Sequence, residues 1–145
     1  MTRVFLDANV YFAGSFSESG ASSVILELAR RRKVQLVATK LVLREADRNL
    51  RKKTDPKTLK RFHRFLRNTP INVVPALPDT VLQKYEPYIH PKDVPILAAA
   101  IEAAVDYLVT LDRRHFLTEK VNECAGKIKV LTPGDFIRIF PPRRT

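Results

Sequence analysis

Three aspartates stand where apolar stretches begin or end. Asp7 closes Val4-Phe5-Leu6, Asp112 follows the run Tyr107 to Leu111, and Asp93 lies just ahead of the apolar positions Ile96, Leu97, Ala100, Ile101 and Ala104. Carboxylates at the ends of buried elements are costly unless solvated or neutralised, because like charges in a partly dry pocket raise each other's pKa. A divalent cation removes that cost, and Mg²⁺ or Mn²⁺ takes oxygen ligands contributed by separate segments while keeping several waters. Asp7, Asp93 and Asp112 are therefore candidate metal ligands, and the chemistry they suggest is metal-assisted attack of water on a phosphate. Asp93, with Pro95 two residues later, also reads as an ordinary helix cap. A fourth acid comes from Lys40–Leu50, whose apolar stripe is Val42, Leu43, Ala46 and Leu50; Glu45 and Asp47 lie about equally far from its centre, so periodicity does not choose between them.

These acids need elements to position them. The opening Val4–Leu6 run is short and apolar, as in a parallel strand covered on both faces. A small-residue loop, Gly14 to Ser23, is expected to precede a helix carrying Val24, Ile25 and Leu28 and ending in the basic run Arg30 to Lys33. Gln35 to Thr39 reads as a second strand, and Thr39 is placed to cap the Glu45 helix. Asp55-Pro56 starts another helix, apolar at Leu59, Phe62 and Leu66 and basic elsewhere. Asn72 to Val74 is a short strand, and Asp79 is expected to cap a short helix that Pro87 ends. The helix after Asp93 is nearly all apolar and rich in alanine, suited to lying against a sheet. Tyr107 to Leu111 and Ile128 to Leu131 complete the strands, with Thr132-Pro133 opening a last helix. Such alternation predicts a three-layer α/β/α sandwich around a mainly parallel sheet, with its site outside the strand C-termini. The expected organisation is one domain over residues 1–140 followed by a short basic tail, 141–145.

Twenty-six Lys and Arg against fifteen Asp and Glu leave a net charge of +11, which favours a polyanion, nucleic acid first, as partner. No apolar run approaches the ~20 residues of a membrane span. The opening residues lack a signal-type pattern, and Cys124, the single cysteine, excludes an internal disulfide; together these lead to the expectation of a cytoplasmic protein. The histidines His63, His90 and His115 are scattered without metal-ligand spacing, so each reads as a surface or loop residue. No aromatic stacking platform for nucleic acid is evident.

The segments FLDANV, KLVLREADRNL, HPKDVPILAAAIEAAVDYLVT and the LD that follows resemble, in order, the four acidic segments of PIN domains, over nearly the whole chain. The resemblance implies a metal-dependent endoribonuclease using Mg²⁺ or Mn²⁺, with Asp7, Glu45, Asp93 and Asp112 as its four acids, and it favours Glu45 over Asp47. It also implies a stand-alone toxin of a toxin–antitoxin pair, a homodimer blocked by a small antitoxin. Thr110 matches the family's usual hydroxyl, able to orient a carboxylate or a water. Asn9 is either a contact to water or substrate or a turn former, and Asp106 has a structural helix-end role. Arg44, Arg48, Arg113 and Arg114, nearest the acids in sequence, are candidates for holding RNA against them, with salt bridges as the plainer role. In place of a further acid found in many relatives, Arg113, Arg114 and His115 follow Asp112, which weakens the case for a second tightly held metal.

Two other readings compete. One is a PIN-like module that binds RNA without cutting it. The other is aspartyl-phosphate chemistry, but the D-x-D-x-T pattern it needs reads Asp7-Ala8-Asn9-Val10-Tyr11 here, which argues against it.

Overall fold

A computed structural model of the chain describes residues 1–140; the basic tail, 141–145, lies outside the described residues. Five strands form one sheet: β1 (Arg3–Leu6), β2 (Gln35–Ala38), β3 (Ile71–Val73), β4 (Tyr107–Val109) and β5 (Lys129–Leu131). Their spatial order is β3-β2-β1-β4-β5, and all four pairings are parallel. Parallel neighbours need crossovers, which here carry helices. The crossover helices are α1 (Ala8–Phe16), α2 (Ala21–Arg30), α3 (Lys40–Lys53), α4 (Pro56–Asn68), α5 (Asp79–Leu82), α6 (Val94–Glu102), α7 (Arg113–Phe116) and α8 (Glu119–Ala125), and α9 (Pro133–Ile139) follows β5. The architecture is the expected α/β sandwich, and its buried side chains form one cluster that includes Val4, Phe5, Leu36, Val37, Leu97 and Leu108, all fully enclosed.

From β1 the chain builds outward through β2 and β3, then returns to lay β4 on the other side of β1. That reversal makes the C-terminal edge between β1 and β4 a topological switch point, where a crevice opens and ligands of open α/β sheets bind. Asp7 directly follows β1 and Thr110 directly follows β4. Helix α6 leads into β4, so its N-terminal end, next to Asp93, returns to that same edge.

The structure departs from the sequence reading at α1. Asp7 caps a helix at once, accepting a hydrogen bond from the Ala8 amide at 2.8 Å. The loop is therefore confined to Ser17–Gly20, and Asn9 sits in the first turn of a helix rather than in a turn leaving the strand. Gly14 permits the close approach of α1 to α2: a Cβ there would lie 2.5 Å from Leu26 Cδ1 and 3.0 Å from the Ser22 carbonyl oxygen. Pro78, not Asp79, occupies the cap position of α5, and Pro87 lies inside the 3₁₀ segment Gln83–Tyr88 that continues it. Two short helices, α7 and α8, follow β4 without having been expected. Other local signals act as read: Thr39 accepts from the Val42 amide to cap α3, and Asp55 from the Thr58 amide to cap α4.

Candidate active site

The four acids converge on one cleft of about 290 Å³, lined by Asp7, Glu45, Asp93 and Asp112 together with Asn9, Phe12, Asn49, Lys53 and Lys92. Each comes from a different part of the fold, and each is held differently.

Asp7 is the most enclosed, at 6% exposure. Its Oδ2 accepts the Thr110 hydroxyl at 2.8 Å, and Asn9 Nδ2 lies at 3.3 Å from the same oxygen. Burial pushes its pKa up to about 6 against the pull of Thr110 and the Ala8 amide, and Glu45 and Asp93 add to the rise. Thr110 is fully buried and works in two directions, since its Oγ also accepts the Asp112 amide at 3.1 Å. Asn9 completes this bridge by accepting the Leu111 amide at 3.1 Å. One hydroxyl and one amide thus tie the end of β1 to the end of β4 and fix Asp7 relative to Asp112.

Asp93 stands at the cap position of α6, yet its side chain makes no capping hydrogen bond. Among the described residues nothing donates to this carboxylate, although its side chain is only 14% exposed; its recorded partner is the His115 ring, 3.9 Å away. The helix-cap explanation for Asp93 therefore fails. Burial and then the Asp112 charge raise its pKa, against His115, His90 and Lys92. Asp112 does act as a cap, accepting the His115 amide at 3.1 Å and facing His115 Nδ1 at 2.8 Å. Partial burial works against its ionisation, but His115 and then Arg114 outweigh that and hold the carboxyl below its ordinary range.

On α3, Glu45, Asn49 and Lys53 recur every four residues and so share the face that lines the cleft. Asp47 faces elsewhere and is engaged by Arg51 and by His63 of α4. The choice that periodicity left open is made by packing. Asp106 was expected at a helix end; its carboxylate instead accepts the Arg3 amide at the start of β1, at 2.8 Å.

Two expectations need correcting. His115 is no bystander: its ring nitrogen and one oxygen each from Asp93 and Asp112 lie within 4.8 Å of one another. The available signal was its place three residues after Asp112, which puts it one helical turn from an N-cap acid. The cations that line the cleft are Lys53 and Lys92, not the four arginines. Arg44 instead lines an apolar groove with Leu41, Val74 and Pro75; Arg113 lines a shallow depression beside Ala13 and Thr132; Arg48 and Arg114 are exposed. Arg114 still acts on Asp112 through its charge.

The donor set suits a hard divalent cation. It is made of carboxylate oxygens from three segments, one nearly dry and one without any hydrogen-bond donor, with Asp93 raising the pKa of Asp7 and Asp112 that of Asp93. A cation there would satisfy Asp93, offset the burial that lifts Asp7 and relieve the repulsion that adds to it.

Residues 3–114 match the family profile described as PIN domain. The chain belongs to the PIN-domain family. No curated protein sequence matches it. Among solved structures, this PIN domain resembles VapBC2 from Rickettsia felis bound to a DNA fragment from their promoter, with a TM-score of 0.62 at 15% identity over 90% of this chain and 98% of that one. It also resembles PAE2754 from Pyrobaculum aerophilum, with a TM-score of 0.64 at 15% identity over 97% and 91% of the two chains. FitAB bound to an IR36 DNA fragment gives 0.61 at 17% identity over 90% and 94%. Identities this low speak to the fold alone. No helix among the described residues is long and apolar enough to cross a membrane.

Proposed function

We propose that this PIN domain is a metal-dependent endoribonuclease that hydrolyses RNA phosphodiester bonds. The observation that carries the reading is Asp93, a part-buried carboxylate at a helix start that caps nothing and points its charge at Asp112 and His115. A carboxylate left in that state is explained by a cation.

Asp7, Asp93 and Asp112 would hold Mg²⁺ or Mn²⁺, which when bound supplies positive charge to acidify water and to stabilise the charge developing on the scissile phosphate. Thr110 and Asn9 keep Asp7 in place, so the ligand does not have to be reorganised at the moment of reaction. Glu45, with no hydrogen-bond partner among the described residues, is free to take a proton from the attacking water or to orient it. Hydrolysis forms one phosphorus–oxygen bond from water and breaks another to the leaving ribose oxygen. Lys53 and Lys92 on the rim offset the field that the acids present to an approaching polyanion.

We further assign the chain the toxin role of a toxin–antitoxin pair, with a small antitoxin as partner, a homodimeric state and a cytoplasmic setting. The likeness to VapBC2 and FitAB, each solved bound to DNA, supports that role, as does the general resemblance of stand-alone PIN domains to such toxins.

The test is cleavage of a mixed RNA pool with Mg²⁺ or Mn²⁺ and with EDTA, beside Asp7→Asn and Asp93→Asn. Cutting that needs the metal and disappears in both variants supports the nuclease. Tight RNA binding without cutting under any condition would replace it with the binding module.

A further inference from the structure

The cleft has one wall that the four acids do not explain. Phe12 lines it together with Glu45, Asn49 and Lys53. One helical turn further along α1, Phe16 is stacked on Phe12, with ring centroids 6.0 Å apart and planes 19° from parallel. Phe16 is 58% exposed, a large apolar surface stacked on a residue that lines a cleft otherwise acidic and basic. No stacking platform is evident from the sequence because Gly14 to Ser23 reads as a loop there, so no helix brings Phe12 and Phe16 together. Here Phe12 is only part-buried and Phe16 looks outward.

From this juxtaposition we propose that the Phe12–Phe16 pair is a nucleobase platform, holding an unpaired base of single-stranded RNA beside the phosphate that enters the acidic cleft. The inference rests on the nuclease reading and adds the residues that would hold a base of the strand. Phe16 offers an open ring face to a base, because its other side is occupied by Phe12. Base–aromatic stacking needs a free π-face and a nearby cation for the backbone, and Lys53 stands in the same cleft. A duplex cannot use such a platform, since its bases are already stacked and paired. The ligand is thereby an unpaired strand or loop, with little base preference, because every base has a π-face.

The experiment uses the full chain and a short single-stranded RNA containing 2-aminopurine, in EDTA at low salt so that nothing is cut. Stacking quenches the probe, and titration gives Kd. The expected result is quenching by the wild-type protein, loss of quenching with roughly fivefold or greater weakening in Phe16→Ala, and wild-type behaviour in Phe16→Tyr. Phe16→Leu separates a π-stack from mere apolar contact and is expected to behave like Phe16→Ala. Binding of the same sequence as a duplex is expected to be insensitive to all three variants. The proposal is overturned if the wild-type protein neither binds nor quenches the strand, if Phe16→Ala matches wild type, or if Phe16→Leu does. Because no cleavage is read, this outcome is independent of whether the acids cut RNA.

Discussion

Replacing Asp7 by Asn should stabilise the metal-free protein at neutral pH, although it removes a residue assigned to the site. The Asp7 carboxyl is raised in the fold from its ordinary 3.8 to about 6, which corresponds to ~3 kcal/mol disfavouring the folded anion. The sign follows from the two states. The unfolded chain ionises Asp7 above about pH 4, whereas the folded chain does so only near 6. Stability is therefore lost as pH rises between those values and stays lost above them. Asparagine carries no charge to desolvate, and its amide oxygen can still accept from Ala8. It cannot accept from Thr110, and losing that bond offsets ~1 kcal/mol. The net gain at pH 7 is then ~2 kcal/mol, or roughly 4–8 °C in Tm for a chain of this size. The assay is thermal unfolding in EDTA at pH 7 and at pH 4. A gain at pH 7 that vanishes at pH 4 supports the reasoning; no gain at pH 7, or an equal gain at both, refutes it. With saturating Mg²⁺ or Mn²⁺ the order should invert, because only wild type retains the full ligand set and gains from binding.

Other expectations follow from the packing and the rim. Gly14→Ala forces a methyl to within 2.5 Å of Leu26 Cδ1, so it should cost ~1–3 kcal/mol through overpacking between α1 and α2, read as a lower denaturation midpoint. Tyr11→Phe removes a fully buried hydroxyl that has no hydrogen-bond partner among the described residues; unfolding in urea should show it neutral or stabilising, in contrast to the usual loss when a buried polar group is deleted. Lys53→Gln should weaken RNA binding and flatten its dependence on salt by about one released counterion, measured by titration at several salt concentrations.

The sheet and the three aspartates were legible because their signals are local. Three apolar residues running into Asp7, an alanine-rich helix after Asp93 and a strand before Asp112 each announce themselves without knowledge of the rest. Helix α1 was not legible for a physical reason. It packs against α2, α3 and α4 at once, and opposite its buried Ala8, Val10, Tyr11 and Ser15 it carries the apolar Phe12, Ala13 and Phe16, so no amphipathic stripe marks it, and Gly14 lies within it. With that helix unseen, the Phe12–Phe16 stack had no scaffold to stand on. Glu45 and Asp47 could not be separated by pattern because the difference lies in their neighbours: α4 brings His63 to Asp47, while Glu45 turns to the cleft. The rim cations were misjudged by counting along the chain from each acid. Lys53 is eight residues beyond Glu45 but on the same helical face, whereas Arg44 is adjacent in sequence and faces another groove. His115 was passed over because metal-ligand spacing was sought among histidines, when its partners are aspartates from two segments.

The central claim, that these acids form one metal-dependent cleavage centre, is tested most directly by following Mn²⁺ occupancy by electron paramagnetic resonance and the RNA cleavage rate in the same titrated samples. The account predicts that rate rises in step with occupancy in wild type, and that Asp93→Asn loses tight binding and cleavage together while keeping the fold. Cleavage that persists in EDTA, or an Asp93→Asn protein that binds Mn²⁺ and cuts RNA as wild type does, would contradict it.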